Sequence, residues 1–171
     1  MREIEIKLRV PDLDALEKKL TEAGLVISKE ISQHDVVYSQ NDPTIFTRMR
    51  EGIFVMRIRD EDGVSKITLK QQQTHELDNL EYETNVENRE VMHQILLKLG
   101  WVPEVEVKKV RKKGTLGEYE ICLDQVEGLG SFVELEKMAD DNADAQKVVD
   151  ELFEALKPYG LTREQEEKTR V

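Results

Sequence analysis

The sequence predicts an α+β fold, a sheet of antiparallel strands with helices laid against its apolar faces. Three observations predict it. The opening segment Met1-Arg2-Glu3-Ile4-Glu5-Ile6-Lys7-Leu8-Arg9 alternates, with Ile4, Ile6 and Leu8 on one side of an extended chain and Glu3, Glu5 and Lys7 on the other. The same alternation of charged and apolar residues returns in segment after segment. Between these lie three stretches with helical spacing, each ending at a glycine, and each preceded by a strand that carries Glu-x-Glu: Glu3/Glu5 before Gly24, Glu81/Glu83 before Gly100, Glu134/Glu136 before Gly160. The repeat is too unequal in spacing for a solenoid, and it points to one sheet whose strands offer like faces to a common space.

Taken in order, Asp12 is placed to cap a first helix carrying Leu13, Leu16, Leu20 and Ala23, closed by Gly24. Leu25 to Tyr38 reads as extended and contains His34-Asp35; a lone histidine there is more often a structural hydrogen-bond partner than a catalyst, and His34 is left unassigned. Ser39 to Pro43 is a loop. Ile53–Arg59 and Val64–Lys70 flank Asp60-Glu61-Asp62-Gly63 and form a hairpin. Arg57 and Arg59 share a face of the first arm; Lys66, Thr68 and Lys70 share a face of the second. A loop with His75 leads to Leu80–Val86, where Glu81 and Glu83 stand two apart. Asn88 caps a second helix bearing Val91, Ile95, Leu96 and Leu99. Trp101 to Lys112 is extended, with Lys109 and Arg111 on one parity, and Lys113-Gly114 is expected to turn. Gly117–Asp124 is a strand with Glu118, Glu120, Cys122 and Asp124 on one parity, and after Gly128-Leu129-Gly130 comes Ser131–Lys137. A third helix is expected from about Asn142 to Lys157, its stripe formed by Ala145, Val148, Val149, Leu152, Phe153 and Leu156. The polar tail from Leu161 to Val171 is expected to be only partly ordered.

At 171 residues the chain suits one domain, 1–171. Charged residues make up 36%, and the net charge of −11 argues against a protein that coats nucleic acid or an anionic membrane. No apolar stretch approaches the roughly 20 residues that span a bilayer, and no apolar signal core follows Met1, so a cytoplasmic protein is expected. Cys122 is the one cysteine, which excludes an internal disulfide and a thiolate cluster; it reads as a small core residue. His34, His75 and His93 are not ordered as a catalytic or zinc set.

The alternation supports two arrangements. In one, the charged face is bathed by solvent and the helices cover the other face. In the other, the sheet closes and the charges line a wet interior. The polar positions are almost wholly charged and sort by strand into acidic and basic pairs, which suits the second. Lys7, Arg57, Arg59, Lys70, Lys109 and Arg111 would then suit a polyanion, Arg through forked hydrogen bonds and Lys as a point charge. The carboxylate pairs would repel such a ligand unless Mg²⁺ or Mn²⁺ lay between them.

The ordered set Glu3-x-Glu5-x-Lys7, Arg57-x-Arg59, Lys70, Glu81-x-Glu83, Lys109-x-Arg111, Asp124 and Glu134-x-Glu136 resembles the CYTH superfamily, the triphosphate tunnel metalloenzymes. Leu123-Asp124-x-x-x-Gly128-Leu129-Gly130-x-Phe132-x-Glu134 is similar to the branch that holds class IV adenylyl cyclases, near the thiamine triphosphatases. The resemblance implies a closed antiparallel barrel of about eight strands with the triphosphate in its tunnel and helices outside. It implies metal ligands at Glu3, Glu5, Glu134 and Glu136, with Glu5, Asp124 and Glu136 in catalysis. It implies phosphate contacts from Lys7, Arg57, Arg59, Lys70, Lys109 and Arg111. Glu81 and Glu83 would be ligands or would steady basic side chains. Relatives often end with a basic residue and a Ser-Tyr pair; here Lys168 stands near the end and the tyrosine is absent.

What the resemblance implies is an enzyme using Mg²⁺ or Mn²⁺ on a triphosphate, foremost ATP cyclisation to cyclic AMP and pyrophosphate. The alternatives are hydrolysis of tripolyphosphate, thiamine triphosphate or a nucleotide, and a non-catalytic nucleotide- or polyphosphate-binding module. A closed barrel has no free edges, so a homodimer would form through helices or outer faces.

Overall fold

The computed structural model describes residues 2–40, 54–72, 78–140 and 142–167. Its elements run β1 (Arg2–Val10), α1 (Leu13–Glu22), β2 (Val26–Gln40), β3 (Phe54–Glu61), β4 (Val64–Gln72), β5 (Asp78–Val86), α2 (Arg89–Lys98), β6 (Trp101–Leu116), β7 (Tyr119–Val126), β8 (Gly130–Ala139) and α3 (Ala145–Leu156). The fold is thus α+β, with eight strands paired antiparallel and three helices among the described residues. His75, Ile53, Lys168 and residues 41–43 of the expected loop lie outside the described residues, while Ser39 and Gln40 belong to β2 instead of a loop. The chain forms two compact units, Met1–Ile31 with Lys109–Arg170, and Ser32–Lys108.

In the first unit β1 pairs with β8, β8 with β7, and β7 with the second half of β6. The period of two sends Ile4, Ile6, Leu8, Ile121, Leu123, Val133 and Leu135 to one face, where they meet Leu16 and Leu20 of α1 and Val148, Leu152 and Leu156 of α3 in one core. Each fully buried leucine contributes about 2 kcal/mol by leaving water. Asp12 caps α1, its Oδ1 accepting from the Ala15 N–H at 2.9 Å. The third helix starts later than the expected Asn142: Asp144 caps it and Ala145 is its first residue, because the Asp144 carboxylate accepts from the Gln146 and Lys147 N–H groups.

Two other expectations are corrected here. Lys113-Gly114 does not turn. β6 continues to Leu116 and the reversal falls at Gly117, whose φ is +62°. Gly114 serves a different end, since a Cβ there would stand 2.6 Å from the Val26 carbonyl oxygen. Nor is the tail loose through Glu167. Leu161 joins the core, Thr162 and Gln165 form a capping box, Leu8 bridges to Glu166, and the Glu167 N–H donates to the Lys7 carbonyl at 2.8 Å.

In the second unit β2, β3, β4 and β5 pair in chain order. Asn88 caps α2 through the Val91 N–H, and Leu96 packs with Tyr38 and Ile58 in a small core. The Tyr38 hydroxyl shares a 2.7 Å hydrogen bond with His93 Nδ1. His34, unassigned from the sequence, lies 2.7 Å from Glu106 through Nε2.

Candidate metal and phosphate site

In the first unit the charged face can be read across the strands. Register sets Glu5 opposite Glu136 and Glu136 opposite Glu120; one step along, Lys7 faces Glu134 and Glu134 faces Cys122; further on, Asp124 faces Arg111 on β6. On β1, β7 and β8 these residues alternate with Ile4, Ile6, Leu8, Ile121, Leu123, Val133 and Leu135, which are buried in the core.

The acidic row gathers. Carboxylate oxygens of Glu3, Glu5 and Glu136 lie within 4.8 Å of one another. Burial, with Glu5, Glu3 and Glu134 adding to it, pushes the Glu136 pKa well above the ordinary carboxylate value. Three partly buried carboxylates this close repel unless a proton or a cation lies among them, and an all-oxygen set suits a hard ion such as Mg²⁺ or Mn²⁺. The residues present therefore fit such a metal.

The next row is a network of opposite charges, deeply buried. Lys7 Nζ is 2.8 Å from Glu134. Arg111 forks onto Asp124, donating from Nε at 2.7 Å and from Nη2 at 2.6 Å, and its Nη2 also donates to Glu134. Lys109 Nζ donates to Asp124 at 2.8 Å. Burial opposes ionisation of Glu134, but Arg111, Lys109 and Lys7 outweigh it and hold its pKa well below the usual range. Burial likewise works against the Arg111 charge, which Glu134 and Asp124 more than restore. Burial lowers the Lys109 pKa, Glu134 and Asp124 pulling the other way. Phe132 lies on this same face, with the Lys7 ammonium 5.3 Å and the Arg9 guanidinium 4.7 Å from its ring centre.

Glu134 thus differs from Glu3, Glu5 and Glu136. The sequence groups all four, but its carboxylate is held by Lys7 and Arg111 and is not among the three that converge. Asp124 sits between Lys109 and Arg111, where it orients both.

The second unit carries its own charged face. Arg59 forks onto Asp35 through Nε at 2.7 Å and Nη2 at 2.6 Å, and both are buried. Arg57 Nη2 is 3.4 Å from the Thr68 hydroxyl and 3.9 Å from Glu83. Glu83 also accepts from Lys66 at 3.1 Å and Thr68 at 3.0 Å; burial opposes its charge, yet these bonds lower its pKa. Lys70 pairs with Glu81. Glu81 and Glu83 therefore stand against basic side chains.

Three participants had no role in the sequence reading. Asp35 could have been found as an acid directly before the apolar run Val36-Val37-Tyr38. Glu120 shares the parity of Asp124. Cys122, expected as a small core residue, is fully buried as such, on the side of the sheet opposite Ile121 and Leu123 and facing Glu134.

The CYTH domain model matches residues 1–169. The chain belongs to the CYTH family. A protein of Methanocaldococcus jannaschii named "Putative adenylate cyclase" is 32% identical to this CYTH chain over 166 residues, covering 96% of it and 93% of the relative. Among solved structures, a conserved hypothetical protein from Pyrococcus furiosus superposes with a TM-score of 0.82 at 22% identity, covering 98% of this chain and 96% of that one. A Hippeastrum protein described as a "Putative adenylyl cyclase" that "reveals a dominant" triphosphatase activity superposes with a TM-score of 0.61 at 18% identity, covering 100% and 92% of the two chains. These likenesses to solved structures bear on the fold.

Proposed function

We propose that this CYTH chain is a divalent-metal-dependent enzyme acting on a triphosphate, with conversion of ATP to cyclic AMP and pyrophosphate as its reaction. The observation that carries the reading is the adjacency of two rows on one sheet face: three converging carboxylates, then a buried array of Lys7, Lys109 and Arg111 braced by Glu134 and Asp124. The strong likeness to a relative named for cyclase activity supports it. In this reading the eight strands close into one barrel, the whole chain works as one domain, and the charges line its interior.

Glu3, Glu5 and Glu136 would hold the Mg²⁺ or Mn²⁺, which supplies charge neutralisation at phosphate oxygens. Lys7, Lys109 and Arg111 would bind phosphate, joined by Arg57, Arg59 and Lys70 as the family pattern implies. Arg111 spends Nε and Nη2 on Asp124 and Glu134, so Nη1 is the donor left for a phosphate oxygen. Asp124 fixes that guanidinium plane, and Glu134 holds the Lys7 ammonium at 2.8 Å. In the cyclisation the ribose 3′-hydroxyl would lose its proton to solvent and bond to the α-phosphorus as the bond from that phosphorus to pyrophosphate breaks, the charge developing on pyrophosphate being met by the basic row.

A second reading, hydrolysis in which water attacks the terminal phosphorus, is supported by the activity reported for the Hippeastrum protein of the same fold. Product analysis separates the two. ATP, tripolyphosphate and thiamine triphosphate are each incubated with Mg²⁺ and with Mn²⁺. Cyclic AMP with pyrophosphate is expected, orthophosphate would establish the second reading, and binding without product would leave a non-catalytic module. Glu5→Ala and Glu136→Ala should each lower turnover about 100-fold or more while the protein stays folded. Full activity in either would remove the metal assignment.

A further inference from the structure

Beside the three-glutamate cluster lies a second group of different chemistry. Ile121 and Leu123 belong to the apolar core, so Glu120 and Cys122 alternate onto the charged face. Register sets Glu120 opposite Glu136 and Cys122 opposite Glu134. Cys122 Sγ and one carboxylate oxygen each from Glu120 and Glu136 lie within 4.8 Å of one another. Cys122 is wholly buried and its thiol makes no hydrogen bond among the described residues. Free cysteine is often buried as a small apolar residue, but this thiol stands within reach of two carboxylate oxygens and outside the apolar cluster of the sheet's other face.

We propose that Glu120, Cys122 and Glu136 form a site for a thiophilic divalent cation, of the class of Zn²⁺ and Cd²⁺, sharing Glu136 with the neighbouring all-oxygen cluster. One sulfur and two carboxylates are a donor set that Zn²⁺ accepts with a fourth position open to water, and one that Mg²⁺ does not seek. On binding, the Sγ–H bond breaks, the proton passes to solvent and the sulfur lone pair forms the bond to the metal, with no change of oxidation state. Lys113, which pairs with Glu120, is 45% exposed and can swing into water as the cation takes its place. The site stands on this geometry and does not depend on turnover. If the metal-dependent enzyme reading also holds, a thiophilic ion would compete with Mg²⁺ for Glu136.

The test is cadmium titration of the full chain, followed by the ultraviolet sulfur-to-cadmium charge-transfer band. The chain has one cysteine, so any such band comes from Cys122. A saturable band at one cadmium per chain is expected. Glu120→Gln should weaken its midpoint about tenfold or more, whereas Glu3→Gln, from the other cluster, should leave the band in place. In Cys122→Ser the band and the cadmium-induced rise in melting temperature should both vanish. No band in the folded wild-type protein, or a midpoint unchanged in Glu120→Gln, overturns the proposal, even where Mg²⁺-dependent turnover is intact. A band in a chain that turns over no triphosphate keeps the site and removes the enzyme reading instead.

Discussion

Glu136 concentrates the electrostatics of the acidic row. Its carboxyl is partly buried and faces Glu3, Glu5 and Glu134, which together raise its pKa. The folded state therefore binds this proton more tightly than the unfolded chain. Its contribution to stability is complete below the ordinary carboxylate value of 4.5 and is lost as pH rises through the raised folded value. A divalent cation bound among these carboxylates, as proposed, would replace the proton and remove the penalty. The metal-free protein should thus lose melting temperature from acid toward neutral pH, and the gain from Mg²⁺ should grow over the same interval. Glu136→Gln should flatten both trends; thermal melts at a series of pH values with and without Mg²⁺ decide it, and a Mg²⁺ gain independent of pH would count against the cation among these carboxylates. Glu134, two residues away, behaves oppositely, because Arg111, Lys109 and Lys7 favour its charge. Alternation placed both residues on one face from sequence alone. Their opposite environments were not legible, because they arise from residues across the sheet.

At the level of elements, the strands and helices follow from period and caps, and the misses lie at boundaries. The Asp12 and Asn88 caps were readable because a short polar side chain precedes an apolar helical run. Gly114 was misread as a turn because a glycine beside a lysine looks the same in sequence whether the chain must bend or must let a neighbour in. Here β2 approaches closely, and a methyl group would be forced against the Val26 carbonyl. Gly114→Ala should destabilise the protein by about 1–3 kcal/mol through backbone displacement in β6. Gly117→Ala would instead act through its positive φ, by about 1 kcal/mol. Urea unfolding of the two variants checks the order; equal costs would mean that β2 gives way freely. Cys122 belongs at this scale too, since only the strand's core face distinguishes a packed thiol from one set among carboxylates.

For the molecule as a whole, the proposed function would have charges from distant segments serve one ligand. Tripolyphosphate with Mg²⁺ should raise the melting temperature, with about 2.7 kcal/mol of stabilisation at a concentration one hundred times its dissociation constant. Arg57→Ala, which tests whether the second unit contributes, should diminish that rise, most at low salt. An undiminished rise would confine the site to the first unit. The sequence by itself determined where strands and helices fall, their boundaries apart, and that the polar side of most strands is charged. It did so because a period of two or of 3.6 is a local property of the chain. The tertiary structure alone decided that Glu3, Glu5 and Glu136 converge while Glu134 turns to Lys7 and Arg111, and that Cys122 joins the charged face. Those outcomes depend on register between strands far apart in sequence, and a shift of one residue there would exchange every partner.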